Sequence, residues 1–209
     1  MVKLYVEGGG DSATLKTACR QGFTRFITAA GLSQRPRVVA CGSRQDAYDS
    51  YFTAITNGEE AVLLVDSEAP VAYQYQQGQD AEWQPWQHLK QRPGDGWDKP
   101  EGAPDTDCHL MVQCMESWLI ADPAALKAFF GQGFRENQLP ATANSVESVG
   151  KTQVYSALAK ATKACKTKAQ YGKGEHSFKL LGKIDPTTVT AACPWASRFV
   201  SELKKKMGA

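Results

Sequence analysis

The first 66 residues alternate between short β-rich runs and segments of helical period, and this alternation restricts the fold more than any other feature of the chain. Lys3-Leu4-Tyr5-Val6-Glu7 is rich in β-formers and stops at Gly8-Gly9-Gly10. Leu15, Cys19, Phe23, Phe26 and Ile27 then recur at three- and four-residue steps up to Gly31. They form one apolar stripe of a helix that Asp11 or Ser12 can cap. Arg37 to Cys41 reads as a second strand, and Ser43 to Thr56 as a second helix with Tyr48, Phe52 and Ile55 inward. Ala61 to Val65 is a wholly apolar third strand, ended by Asp66. Such an order predicts an α/β fold, a mainly parallel sheet flanked by helices on both faces.

The later chain is less regular. Gln, Gly, Pro, Asp and Trp dominate residues 69–107, which read as a long irregular insertion with a short helix over Trp83 to Lys90. Cys108 to Gln113 reads as a fourth strand and Glu116 to Ile120 as a turn or helix. Asp122-Pro123 starts a helix, Asp as cap and Pro in the first turn. Further helices are expected at about Lys151 to Lys166 and Trp195 to Lys206. With 209 residues, the chain suits an α/β domain over 1–149 and a basic helical extension over 150–209 packed on it.

Charge follows that division. Residues 1–149 carry 12 Lys and Arg against 19 Asp and Glu, a net of −7, whereas residues 150–209 carry 12 against 3, a net of +9. The acidic part is expected to hold the chemistry. The basic part suits a phosphate backbone or, equally, a solvated helix face. Six scattered cysteines read as reduced core thiols, and Cys108-His109 with Cys114 lacks the spacing of structural zinc. Neither a secretory signal nor an apolar run near the roughly 18 residues of a membrane span occurs, so a cytoplasmic protein without membrane contact is expected.

In an open parallel sheet, ligands bind beyond the carboxyl ends of the strands, so polar residues that terminate apolar strands are the first candidates. Here these are Glu7, Asp66 and Glu68. The spacing of Asp66 and Glu68 across an extended segment puts both carboxylates on one side, a hard-cation arrangement. The third acid from the neighbouring strand can act as general base or hold a second ion. Gly8-Gly9-Gly10-Asp11-Ser12-Ala13 also fits the loose dinucleotide pattern, but the second strand ends Ala40-Cys41-Gly42-Ser43, without the acid that holds a ribose, which demotes a dehydrogenase. Gly150-Lys151-Thr152 is similar to the end of a phosphate-binding loop. Ser145 stands where the first glycine should be, so it reads as a helix start.

Val6-Glu7-Gly8, followed two helix-and-strand units later by Asp66-Ser67-Glu68, resembles the Toprim fold of topoisomerases, primases and the overcoming-lysogenization-defect nucleases. Met115-Glu116-Ser117-Trp118-Leu119-Ile120-Ala121-Asp122 after a strand is similar to the signature of small stand-alone Toprim-related proteins, relatives of the RloB proteins, encoded beside an ABC or AAA ATPase in phage-defence loci. The resemblance covers most of residues 1–130. It implies Glu7 as general acid or base, Asp66 and Glu68 as ligands of magnesium or manganese, and Glu116 either completing the acidic site or capping a turn. Gly8, Gly9, Gly10 and Ser12 would then approach a phosphate through backbone amides. Lys173, His176, Lys179 and Lys183 would contact phosphates, although His176 reads equally as an exposed loop residue, as do His88 and His109. Glu68 departs from the commoner second Asp. The function implied is a magnesium-dependent nuclease, on DNA ahead of RNA, working with the ATPase. The alternative is a non-catalytic Toprim-like module that senses a nucleotide or docks to the ATPase. A topoisomerase is disfavoured, because strand passage needs further domains and a nucleophilic tyrosine that nothing here identifies.

Overall fold

A computed structural model describes residues 1–141, 145–174 and 176–208. The opening alternation folds as β1 (Lys3–Gly9), α1 (Ala13–Ala29), β2 (Arg37–Gly42), α2 (Arg44–Thr56) and β3 (Ala61–Asp66). Then come α3 (Pro85–Gln91) within the 69–107 insertion, β4 (Cys108–Met111), α4 (Glu116–Ile120) and α5 (Pro123–Phe130). The chain closes with α6 (Lys151–Thr162), α7 (Ser177–Leu181), α8 (Pro186–Ala192) and α9 (Pro194–Met207). The four strands form a parallel sheet in the order β2-β1-β3-β4. Helix starts carry their signals. Ser12 accepts from Leu15 N to cap α1, Ser43 and Asp46 form a capping box on α2, and a proline stands in the first turn of α3, α5, α8 and α9.

Because side chains alternate along a strand, the sheet builds two cores. Leu4, Val6, Val62 and Leu64 face α1, α4 and the helices after residue 150, where Phe23, Phe26, Trp118, Phe178 and Phe199 are buried. Tyr5, Leu63 and Val65 face α2 and the insertion, where Trp83, Trp86, Leu89 and Trp97 are buried. The insertion therefore covers one face of the sheet. Its docking is completed by a buried guanidinium: Arg198 of α9 donates to the carbonyls of Asp80, Asp105 and Cys108 and bonds His109 Nδ1 at 3.1 Å.

Several expectations are corrected. The inward face of α2 is Ala47, Tyr51 and Ala54, while Phe52 is exposed and Tyr48 and Ile55 are half-buried. Ala47 and Ala54 sit with Tyr51 against the sheet, and Tyr48, Phe52 and Ile55 flank that contact. β4 stops at Met111, two residues short of the expected end, and α6 stops at Thr162. His88 and His109, read as exposed, are buried, and so is His176, for which an exposed loop position is one of two expectations. Among the described residues, no helix is long and apolar enough to cross a membrane.

Candidate functional site

β2 and β3 lie on opposite sides of β1, so the chain reverses its winding direction between β1 and β3, the place where open α/β sheets bind ligands. Glu7 leaves β1 and Asp66 leaves β3 at that crevice. One ligand oxygen each from Glu7, Asp66 and Glu68 lies within 4.8 Å of the others. The three carboxylates are held by different means. Glu7 Oε2 accepts from Asp66 N at 3.0 Å, tying β1 to β3. Asp66, fully buried, accepts from Met115 N at 2.8 Å through Oδ1, at the start of the α4 segment.

Glu68 arrives by a turn and not by the extended segment expected. Its φ of 63° is left-handed. The bend is fixed on both sides, by Glu68 N donating to Gln113 O at 2.9 Å and Ser67 N to Met111 O at 3.0 Å. The insertion adds a third hold, because His88 Nε2 donates to Ser67 O at 2.9 Å. Burial holds the His88 imidazole below its ordinary pKa, so a neutral ring carrying its proton on Nε2 suits this bond.

Two cations face the acids, and neither was named from the sequence as a site residue. Lys151, the first residue of α6, bonds Glu68 and lies 3.5 Å from Asp66 Oδ2. Arg44, the first residue of α2, approaches Glu7 Oε2 at 3.4 Å and donates to Asp66 O at 3.0 Å. The insertion fixes Arg44 too. Asp95 pairs with it, and Trp97 covers its guanidinium at 4.9 Å while stacking on Tyr48. Their signal in the sequence is positional: Arg44 lies two residues past the β2 glycine, and Lys151 starts a helix at Gly150.

Burial raises the pKa of Glu7 and pushes that of Asp66 well above the usual carboxylate range, with mutual repulsion added. Burial alone would lower Lys151, but Asp66 and Glu68 outweigh it and hold the ammonium above its ordinary value. An all-oxygen donor set whose charge is incompletely balanced by two cations suits a hard divalent ion. The cluster can bind a metal.

Glu7 and Asp66 open into a cavity of about 230 Å³. Gly8, Gly9 and Gly10, all at positive φ, form one wall, and Lys173, Gly174, Ser177 and Phe178 form another. Glu116 also lines the cavity, but it is not one of the clustered acids. Both its oxygens are bonded, to Tyr155 OH at 3.0 Å, Tyr171 OH at 3.0 Å and Ser177 Oγ at 3.2 Å. A carboxylate so engaged ties Tyr155, Tyr171 and Ser177 to α4. Of the other expected phosphate contacts, Lys173 reaches the cavity, whereas Lys179 and Lys183 are exposed outside its lining. Ser12 spends its hydroxyl on capping α1. His176 is buried edge-on against Phe130, its Nδ1 accepting from Gly172 N at 3.1 Å.

A family model described as "Domain of unknown function (DUF4276)" matches residues 6–204, which takes in β2, β3, β4, the end of β1 and the cluster. The chain belongs to that family. No curated protein and no solved structure shows significant similarity to it.

Proposed function

We propose that this chain is a magnesium- or manganese-dependent nuclease of Toprim type, cleaving DNA phosphodiesters as the effector of a phage-defence system that includes an ATPase. The observation that carries this reading is the convergence of Glu7, Asp66 and Glu68 at the point where the sheet reverses its winding. Asp66 and Glu68 would hold the ion, and Glu7, on the neighbouring strand and facing the cavity, would move the proton of the attacking water. The bound ion would supply charge stabilisation at the scissile phosphate. Lys173 offers a cation to a phosphate oxygen from the opposite wall, and the glycine wall lets a phosphate approach backbone amides.

The test is a thermal melt with and without magnesium or manganese, for the wild type and for Asp66→Asn with Glu68→Gln. A metal that binds the native state raises its stability by mass action. The wild type is expected to gain stability and the double variant to gain none. Glu7→Gln is expected to retain the metal response and lose cleavage of DNA, assayed with and without the partner ATPase. A second reading, a non-catalytic module that senses a nucleotide or docks to the ATPase, draws on one observation: Lys151 and Arg44 already neutralise much of the acidic charge. A wild type that gives no metal response, and binds a partner without cleaving, would establish it.

A further inference from the structure

We propose that the cavity beside the acids accepts a single strand, one phosphate with its attached nucleoside, and excludes duplex. This rests on the nuclease reading and narrows its substrate. The space is small: at about 230 Å³ it has room for about one nucleotide unit, whereas a base in a duplex is held by its pairing partner and cannot enter unless it is unpaired. The wall that limits it is fixed on two sides. A Cβ at Gly22 of α1 would stand 2.6 Å from the Phe178 carbonyl oxygen, and one at Gly8 would stand 2.9 Å from the Phe178 ring, so α7 sits directly on backbone. On the other side, Ser177 and Tyr171 bond Glu116. A wall packed against glycine and tied to a buried carboxylate does not swing open for a wider ligand.

The lining chemistry matches one nucleotide. Leu15, Met115 and Phe178 give an apolar surface for a base or sugar, and Lys173 gives a cation for its phosphate. The approach is basic as well. Lys163, Lys166 and Lys168 are exposed on the segment that leads to Lys173, and among the described residues none of the four pairs with a carboxylate. A flexible strand can follow that segment with its phosphates and turn one nucleotide into the cavity.

The test is fluorescence anisotropy in calcium, an oxygen-seeking ion, with a short single-stranded deoxyoligonucleotide, its ribo counterpart and a blunt duplex of the same sequence. The tighter-binding single strand, of either sugar, is expected to exceed the duplex by about tenfold in affinity, and a nucleoside monophosphate to compete with it. Leu15→Trp, which fills the cavity, is expected to weaken single-strand binding while keeping the calcium-induced rise in melting temperature. Should Leu15→Trp fail to fold, the exposed Lys173→Gln serves, with the slope of log affinity against log salt reduced by about 0.7. Duplex binding as tight as single-strand binding, or a folded Leu15→Trp with unchanged affinity, overturns the proposal. If calcium still stabilises the wild type in that case, the metal site survives and this inference alone falls. Absence of any calcium response overturns the metal reading and the inference together.

Discussion

Lys151 occupies the position that a divalent ion would compete for, with its ammonium bonded to Glu68 and 3.5 Å from Asp66. Removing it leaves two buried or half-buried carboxylates facing Glu7 with Arg44 as the remaining cation. Lys151→Met is therefore expected to cost about 1–3 kcal/mol in metal-free buffer, less than a fully buried pair because the ammonium is partly exposed. The same variant is expected to gain more from magnesium than the wild type, since the ion no longer displaces a bonded ammonium. Melts with and without magnesium check both, and equal metal responses in the two proteins would show that the lysine does not compete. Glu7, Asp66 and Glu68 were legible in the sequence, because an acid that ends an apolar strand of a parallel sheet projects into the crevice there. Lys151 was not, since it reaches Glu68 across 83 residues of chain and no local pattern encodes that meeting. Glu116 shows the converse. Its neighbours place it beside the acids, but the three hydroxyls that engage it come from α6 and the residue 171–177 segment.

At the scale of elements, periodicity located the first two helices well and the inward face of one of them poorly. In α1 the large apolar residues are the inward ones. In α2 Tyr51 shares the inward face with Ala47 and Ala54, so a reading that follows Tyr48, Phe52 and Ile55 selects the flanks of that face. The difference is measurable: Tyr51→Ala is expected to cost about 3–5 kcal/mol and Phe52→Ser less than about 0.5 kcal/mol, by urea unfolding. A second element-level expectation concerns α9. Glu147 accepts from Trp195 N at 3.0 Å in the first turn of that helix, and burial pushes its pKa from 4.5 to about 8. The folded protein therefore holds the proton more tightly than the unfolded chain does. The stabilisation is fully present below the ordinary value of 4.5 and is lost as the pH rises through about 8, a change on the order of 5 kcal/mol. Glu147→Gln keeps an acceptor for Trp195 N and removes the titration. Its melting temperature is expected to vary less than that of the wild type between about pH 5 and pH 9; parallel profiles would mean that Glu147 does not carry the dependence.

On the scale of the whole molecule, the change of charge near residue 150 does not mark where the core ends. Composition separates an acidic α/β part from a basic helical one, but composition reports on the surface, and the cores are built from what is buried. Phe178, Leu180, Leu181, Ile184, Val189, Phe199, Val200 and Leu203 all belong to the core that covers one face of the sheet. Each buried apolar side chain of this kind contributes about 1.5–3 kcal/mol, so losing these eight would leave one face of the sheet without its cover. Arg198 adds a tie that composition cannot show, since it bonds carbonyls of the insertion at Asp80 and Asp105. The insertion in turn holds the bend between the two acids through His88 and fixes Arg44 through Asp95. The site thus depends on parts of the chain that contribute no carboxylate to it. A chain ending at residue 149 is accordingly expected to lack a cooperative melt and a metal response, as read by near-ultraviolet circular dichroism and a magnesium titration. Were it to melt cooperatively and still bind magnesium, the acidic part would be a domain in its own right and the basic helices an accessory to it.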